Sequence, residues 1–445
     1  MFGMVITSEA APQPSGPQAD GAFRKVILVS DKDTNGDNQT EDTLKDPMEL
    51  SIAKDGRVFW AQRNGEVHFW SPKTNETTMV GKVEVFTGLE DGLLGITLDP
   101  NFAKNNHLYL FYAHPKTVVE HVNRKPRKKG FNLVSRFTLK DGKLDLSSEK
   151  EMIRIKTQRD ECCHSGGSLT FDSKGNLYAS VGDNTNPFAS DGFAPIDERS
   201  GRFSWDAQKS SANANDLRGK ILRVTPQPDG SVTIPEGNLF DDVNHGARSE
   251  VYVMGNRNPF RISVDPKTSY LYWGEVGPDS GGRREGRGPA GYDEINQARG
   301  AGNFGWPQFI ANNKPYNRYD FGEKKSLEAF APAKPLNQSP NNTGIKELPA
   351  AQSAFIYYAH FPSVRWQTLN SGGGRTAMAG PVYYFDENLD SAHKLPKEYD
   401  HSLFIYEWSR NWIINIKLDE NDNIAQMERF CSKMTFKRPM DMELG

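Results

Sequence analysis

The chain has 445 residues, with 54 Lys and Arg against 57 Asp and Glu and a formal net charge of -3 at pH 7. That balance gives no general attraction to phosphate backbones or acidic membranes, so nucleic acid is not an expected partner. Mean hydropathy is -0.67, and no stretch approaches the ~20 consecutive apolar residues that a helical membrane span requires.

The N-terminal stretch MFGMVITSEAAPQPSGPQADGAF has a short apolar start but neither a cationic region nor a full apolar core. Residues 1–23 therefore read as a signal remnant or flexible leader, and residues 24–445 as a single domain. Next, DKDTNGDNQTED places Asp31, Asp33, Asn35, Gly36 and Asp42 at the oxygen-ligand spacing of a Ca2+ loop. It closes on Asp where such loops use a bidentate Glu, so a solvated acidic turn stands beside the calcium reading.

Beyond that point 40 Gly and 27 Pro, spread along the whole length, separate short runs rich in Val, Ile, Leu, Tyr, Phe and Trp. These runs predict strands, and no long window keeps a 3.6-residue apolar period with a cap and a stop. LSIAKDGRVFW (Leu50 to Trp60), ITLDPNFAKNNHLYLFY (Ile96 to Tyr112), LTFDSKGNLYASV (Leu169 to Val181) and ISVDPKTSYLYWGEV (Ile262 to Val276) share one plan. Each is an alternating strand, an Asp- or Gly-centred turn and a second strand, which predicts a β-hairpin. Asn64-Gly65, Asp141-Gly142 and Asp229-Gly230 mark further hairpin turns. The basic run Arg124 to Lys129 predicts a hairpin tip in solvent, with docking of an acidic redox partner as the other reading. Polar insertions run from Asn184 to Asp216 and from Gly281 to Gly291. Irregular four-stranded units with such insertions predict an all-β fold, a β-propeller, with a β-sandwich array as the alternative. The terminal KRPMDMELG reads as the first strand of another unit, so the last blade is expected to be incomplete.

Three stretches carry candidate chemistry. In CCHSGGSLTFDSKGNLYASVGDNTNP, His164 sits in a turn just before a strand that would line the channel, where a neutral imidazole can serve as general base. In VYVMGNRNPFRISVDP, Arg257 offers a cationic fork for oxyanions and Asn258 both a donor and an acceptor. In GEVGPDSGG, Gly277-Pro278 cannot be central strand, which frees backbone carbonyls for a hard cation such as Ca2+. The three cysteines form no CxxC or CxxCH, which excludes a covalent c-type haem and a four-Cys zinc site. Cys431 reads as a buried apolar residue.

DGLLGITLDPNF, the His164 turn, GNRNPF, VGPD with YDEIN, and GNFGWP occur in the order seen in the soluble pyrroloquinoline quinone (PQQ)-dependent glucose/sorbosone dehydrogenases. From about Leu50 to Gly445 the chain resembles that family, and the resemblance implies a six-bladed β-propeller. It also implies oxidation of the anomeric hydroxyl of an aldose or related sugar to the lactone, with PQQ and Ca2+ as cofactors. His164 and Arg257 match catalytic positions. Glu90, Arg257, Asn258, Thr376, Arg410 and Arg438 fall at PQQ contacts, and Gly277 and Pro278 match the carbonyls that hold Ca2+. Three positions depart from the pattern. Glu90 stands in place of a glutamine, Ser409 in place of a PQQ-contacting lysine with Arg410 as replacement cation, and Cys163 in place of the Asp preceding the base. Asp160 or Glu161 is then left to orient His164. Cys162-Cys163 resembles a bacterial CCH variant, with a vicinal disulfide and two reduced thiols as the readings. The resemblance further implies a separate cytochrome or other electron acceptor and a periplasmic or secreted location. A non-catalytic carbohydrate-binding propeller and a calcium-dependent, lactonase-like propeller hydrolase are the alternatives.

Overall fold

The computed structural model describes residues 4–8, 23–31, 44–122, 125–241, 246–370, 372–391 and 393–445. Of the candidate Ca2+ loop only Asp31 falls among them, so that motif lies outside the described residues.

Five antiparallel blades follow one another along the chain, each with its strands in chain order from the axis outward. The first is Pro47–Ile52, Val58–Gln62, Glu66–Ser71 and Glu76–Lys82. The second is Leu93–Leu98, His107–Ala113, Lys125–Lys140 and Lys143–Gln158. Gly166–Phe171, Leu177–Val181, Lys220–Pro226 and Val251–Met254 form the third. Pro259–Val264, Leu271–Glu275, Asp293–Ala298 and Ile356–Tyr358 form the fourth. The fifth is Ala377–Tyr383, Ser402–Glu407, Trp412–Leu418 and Ile424–Arg429. The first strands of successive blades are neighbours round the axis.

All four segments expected to be hairpins are the inner strand pairs of blades one to four. The period-2 alternation that predicted them has a direct packing cause. Leu108, Leu110 and Tyr112 face the apolar layer shared with the first blade, while Tyr109 and Phe111 face the layer shared with the third. Tyr178 packs toward blade four, but its neighbours Leu177, Ala179 and Val181 pack toward blade two. Each strand is thus buried on both faces, between two blades.

Three expectations change. Among the described residues the propeller has five blades rather than six, four-stranded except that the second carries one extra strand and the third two. The residues after Arg429 add no further strand to a sheet, and Met440 to Gly445 run as irregular chain beside the inner strands of blades five and one. The leader is also not uniformly loose, because Met4–Ser8 pairs with Phe23–Ile27, and Phe23 packs on Tyr399 and Phe430 of the last blade region. Of the basic run, Lys125 to Lys129 belong to a strand paired with Val118–Val122, and the Arg127 side chain is only 14% exposed: it donates to the Gly201 carbonyl at 2.8 Å and lies over Phe203. Cys431 is buried with Phe404 and Phe430, as expected. Among the described residues no helix is long and apolar enough to cross a membrane.

Buried polar groups join the inner strands across blades. Glu49, in the first blade, accepts from the Ile96 N–H of the second at 2.8 Å and from the Leu169 N–H and Ser168 hydroxyl of the third. Arg261, in the fourth, donates to the Met48 carbonyl at 2.6 Å and to the Met440 carbonyl at 3.1 Å. Asp441 accepts from the Leu50 N–H at 2.7 Å, which joins the end of the ring to its beginning.

Glu49→Ala removes the acceptor of three buried donors and is expected to lower unfolding free energy by about 3–5 kcal/mol, seen as a lower denaturant midpoint. Burial raises the Glu49 carboxyl from 4.5 to about 8 in the folded chain, against the opposing charge of Arg261. Between those values the folded state binds the additional proton, so this group's contribution to stability falls as pH rises across the window. Glu49→Gln is expected to flatten that part of a stability-pH profile.

Candidate active site

The candidate residues gather at one end of the channel because of where they stand relative to the inner strands. Glu90 and Asp91 precede the inner strand of blade two, His164 that of blade three, Arg257 and Asn258 that of blade four, and Arg375 and Thr376 that of blade five. The second strand of each hairpin returns to the same end, and carries Asp183, Glu275 to Pro278, and Glu407 to Arg410 there.

His164 is 4% exposed and takes a left-handed backbone conformation, φ +66°. Its turn is held on three sides. The His164 N–H donates to Glu90 Oε2 at 2.6 Å, Ser165 Oγ donates to Asp91 Oδ1 at 2.9 Å, and the Gly166 N–H donates to Asn258 Oδ1 at 3.0 Å. Gly182 must lack a side chain here, because a Cβ would lie 2.3 Å from the His164 carbonyl oxygen. Cys162 and Cys163, at the start of the turn, form a vicinal disulfide.

The carboxylate that orients the imidazole is Asp183, neither Asp160 nor Glu161. Asp183 Oδ1 lies 2.7 Å from His164 Nδ1 and also accepts from the Thr185 N–H at 2.9 Å, while Oδ2 accepts from Trp306 Nε1 at 2.8 Å. Asp160 instead caps the Lys128 N–H, and Glu161 accepts from Asn186. Burial pushes the Asp183 carboxyl up, but His164, Lys209 and Arg257 outweigh that and hold it below the ordinary range. An ionised Asp183 fixes the proton on Nδ1 and leaves Nε2 as the acceptor.

Arg257 is 4% exposed, donates through Nη1 to the Val276 carbonyl at 2.9 Å and lies over the Trp306 ring. Its N–H and that of Asn258 both donate to Glu275 Oε1. Its Nε has no hydrogen-bond partner, and neither do Arg375 Nε and Nη1 or the Tyr316 hydroxyl, all buried. Both guanidiniums act electrostatically on Tyr316, whose ring packs against Trp306.

Gly277 and Pro278 are where the resemblance puts a metal, and of the two carbonyls that of Pro278 accepts from Arg375 Nη2 at 2.8 Å. The Gly277 N–H donates to Asp293 Oδ1 at 3.0 Å. Thr376 donates its N–H to Glu407, and its hydroxyl lies 2.7 Å from Ser409 Oγ. Arg410 is not a free cation for a cofactor. Its Nε, Nη1 and Nη2 donate to the carbonyls of Gly374, Leu369 and Ala359, which ties down the loop before blade five. Arg438 is exposed, over the Trp408 ring beside this turn. Among the described residues, one group of three metal-ligating side chains comes together, Glu90 with Cys162 and Cys163, and its sulfurs are bonded to each other. A set of convergent acidic ligands of the lactonase kind is not formed there.

Sequence reasoning missed Asp183, Trp306, Tyr316, Lys209 and Arg375. Asp183 and Trp306 lay inside quoted motifs, and the signal for Asp183 was its place just after the strand paired with the His164 strand. Lys209, buried with its Nζ donating to Thr185 Oγ1 at 2.7 Å, sits in a polar insertion with no periodic signal.

The model of the Glucose / Sorbosone dehydrogenase family matches residues 44–369, and the chain belongs to that family. It is 27% identical over 269 residues to aldose sugar dehydrogenase YliI of Escherichia coli (strain K12), covering 60% of this chain and 60% of that protein. To quinoprotein glucose dehydrogenase B of Acinetobacter calcoaceticus it is 24% identical over 300 residues, 65% of this chain and 56% of the relative. The chain thus spans about three fifths of the length of these relatives. In fold it is similar to the apo-form of the soluble aldose sugar dehydrogenase from Escherichia coli, with TM-score 0.57 and 20% identity over 90% of this chain and 91% of that one. It is also similar to the PQQ-bound form of aldose sugar dehydrogenase from Streptomyces coelicolor, with TM-score 0.52 and 18% identity over 90% and 86%.

Asp183→Asn is expected to destabilise the protein at pH 7 by about 2–4 kcal/mol, because it removes the charge opposite buried His164. Since the folded carboxyl is held below its unfolded value of 3.8, its contribution is complete above that value and is lost as pH falls through the folded pKa. Wild type and variant should therefore converge in acid, as thermal denaturation at stepped pH would record.

Proposed function

We propose that this protein oxidises the anomeric hydroxyl of an aldose or related sugar to the lactone, with PQQ as the electron acceptor in the site. The observation that carries the reading is the buried His164–Asp183–Trp306 chain set beside two guanidiniums whose buried Nε atoms have no hydrogen-bond partner. Family membership and the quinoprotein named among the relatives support it.

The donor set fits an anionic quinone. Arg257 and Arg375 hold uncommitted N–H groups, which favour carboxylate and quinone oxygens, and Tyr316 adds a hydroxyl. Thr376 and Arg438 stand at the rim beside them. Calcium fits the groups poorly as they stand, since the buried Arg375 guanidinium already puts a positive charge at the Pro278 carbonyl. No step here depends on a metal.

PQQ, when bound, supplies a two-electron acceptor for hydride leaving the sugar carbon. His164 Nε2 takes the hydroxyl proton, and Asp183 stabilises the imidazolium that results. Arg257, over the Trp306 ring that packs on Tyr316, holds positive charge where negative charge develops. Glu90 positions the base by accepting its backbone N–H. Reoxidation is assigned to a separate cytochrome or other acceptor, and a periplasmic or secreted setting accords with such a partner.

Titration with PQQ followed by aldose addition tests the reading, with saturable binding and sugar-driven bleaching of the quinone absorbance as the expected result. His164→Ala should retain PQQ binding while kcat falls by about 10²–10⁴. Unchanged dye reduction in that variant would remove His164 from the mechanism.

A further inference from the structure

The cation expected on the Pro278 carbonyl is supplied by the chain itself. Arg375 Nη2 donates to that oxygen at 2.8 Å, and Nη1 lies 3.5 Å from Asp293 Oδ1. The guanidinium side chain is 2% exposed, so this is an interior ion pair. We propose that Arg375 takes the place of a divalent cation in this site, so that an anionic quinone binds here without calcium. The proposal rests on the PQQ reading given above.

The surroundings leave little for a metal. Calcium takes six to eight oxygens at about 2.3–2.6 Å. Asp293, the buried carboxylate at hand, is already committed: Oδ1 accepts from the Gly277 N–H at 3.0 Å and Oδ2 from the Ala377 N–H at 3.0 Å, with Arg375 as its counter-ion. Beside the Pro278 oxygen the chain closes in at Gly291, where a Cβ would lie 1.7 Å from that oxygen and 3.1 Å from Arg375 Nη2. A divalent ion on the same oxygen would face the guanidinium's positive charge, in a buried setting where like charges are poorly screened.

The same residue has donors to spare. Arg375 Nε and Nη1 have no hydrogen-bond partner, and Arg257 Nε is in the same condition. Two fixed forks near Tyr316 can bind carboxylate or quinone oxygens through charge-assisted hydrogen bonds, the service that a bound divalent ion would otherwise perform.

The test is PQQ binding to the full chain stripped of metal with EDTA and chelating resin, followed by tryptophan fluorescence and calorimetry with and without added Ca2+. Equal affinity within about twofold in the two conditions is expected, and Arg375→Gln should weaken metal-free binding about tenfold or more, with Arg375→Lys keeping most of it. Metal-free protein that binds PQQ only after Ca2+ is added overturns the proposal and leaves the PQQ reading standing. Failure to bind in either condition overturns the PQQ reading and this inference with it. If Arg375→Gln does not fold, as circular dichroism would show, the wild-type comparison decides alone.

Discussion

The ring of inner strands depends on buried carboxylates that accept backbone N–H groups from another blade. Apolar layers between blades are non-directional, so they bring sheets together without fixing their relative height. Glu49 fixes the inner strands of blades two and three against the first, and Asp293 fixes the start of the fifth against the fourth through the Ala377 N–H. No strand pairing links the last blade to the first, as none links any blade to the next, so closure too rests on side chains. It is made by Asp441 on the Leu50 N–H, and by Arg261, which reaches Met48 and Met440 at once. Burying these groups is costly, and burial accordingly raises the Glu49 and Asp441 carboxyls against the pull of Arg261.

The same device builds the site. Glu275 holds the turn of Arg257 and Asn258 by accepting both N–H groups, and Glu407 does so for Thr376 and Arg410. Burial drives Glu275, Asp293 and Glu407 upward, whereas Asp183 is held down by His164, Lys209 and Arg257. Carboxylates of one chemical type therefore do two jobs, set by their surroundings. Those that chiefly hold backbone amides are pushed up by their burial, and the one that orients the imidazole is held down by the cations around it. Fixed donors and charges of this kind stabilise a developing charge without having to reorganise when it forms.

The inner hairpins were legible in the sequence because each is buried on both faces by different neighbours, which imposes a period of 2 on runs such as His107 to Ala113. The blade number was not. It depends on whether Met440 to Gly445 pairs as a strand or clasps as a side chain, and Asp441 followed by Met442 reads equally well either way. His164, Arg257 and Asn258 were legible from motif order and do come together. Asp183 was hidden because its role depends on the register of Leu177–Val181 against Gly166–Phe171, which local composition does not encode. Arg410 was expected as a cation for the cofactor and Arg375 was not singled out, for one reason. Both are guanidiniums at the same end of blade five, and only the carbonyls they meet show that Arg410 is spent on the scaffold while Arg375 Nε is left without a hydrogen-bond partner.

The site is also an instrument of the ring rather than of any single loop. His164, Arg257 and Arg375 each stand within two residues of an inner strand, in three successive blades, so the spacing between base and guanidiniums is the spacing between blades. A left-handed backbone at a non-glycine residue such as His164 persists only where its surroundings over-determine it. Glu90 comes from the blade before, Asn258 from the blade after, and Asp183 from the returning strand of the same hairpin. Three blades thus converge on one imidazole, and each of those blades takes its height from the clasps that run through Glu49, Arg261 and Asp441. Stability at the axis and geometry at the mouth are consequently one property of this fold, transmitted along inner strands that are short and largely buried.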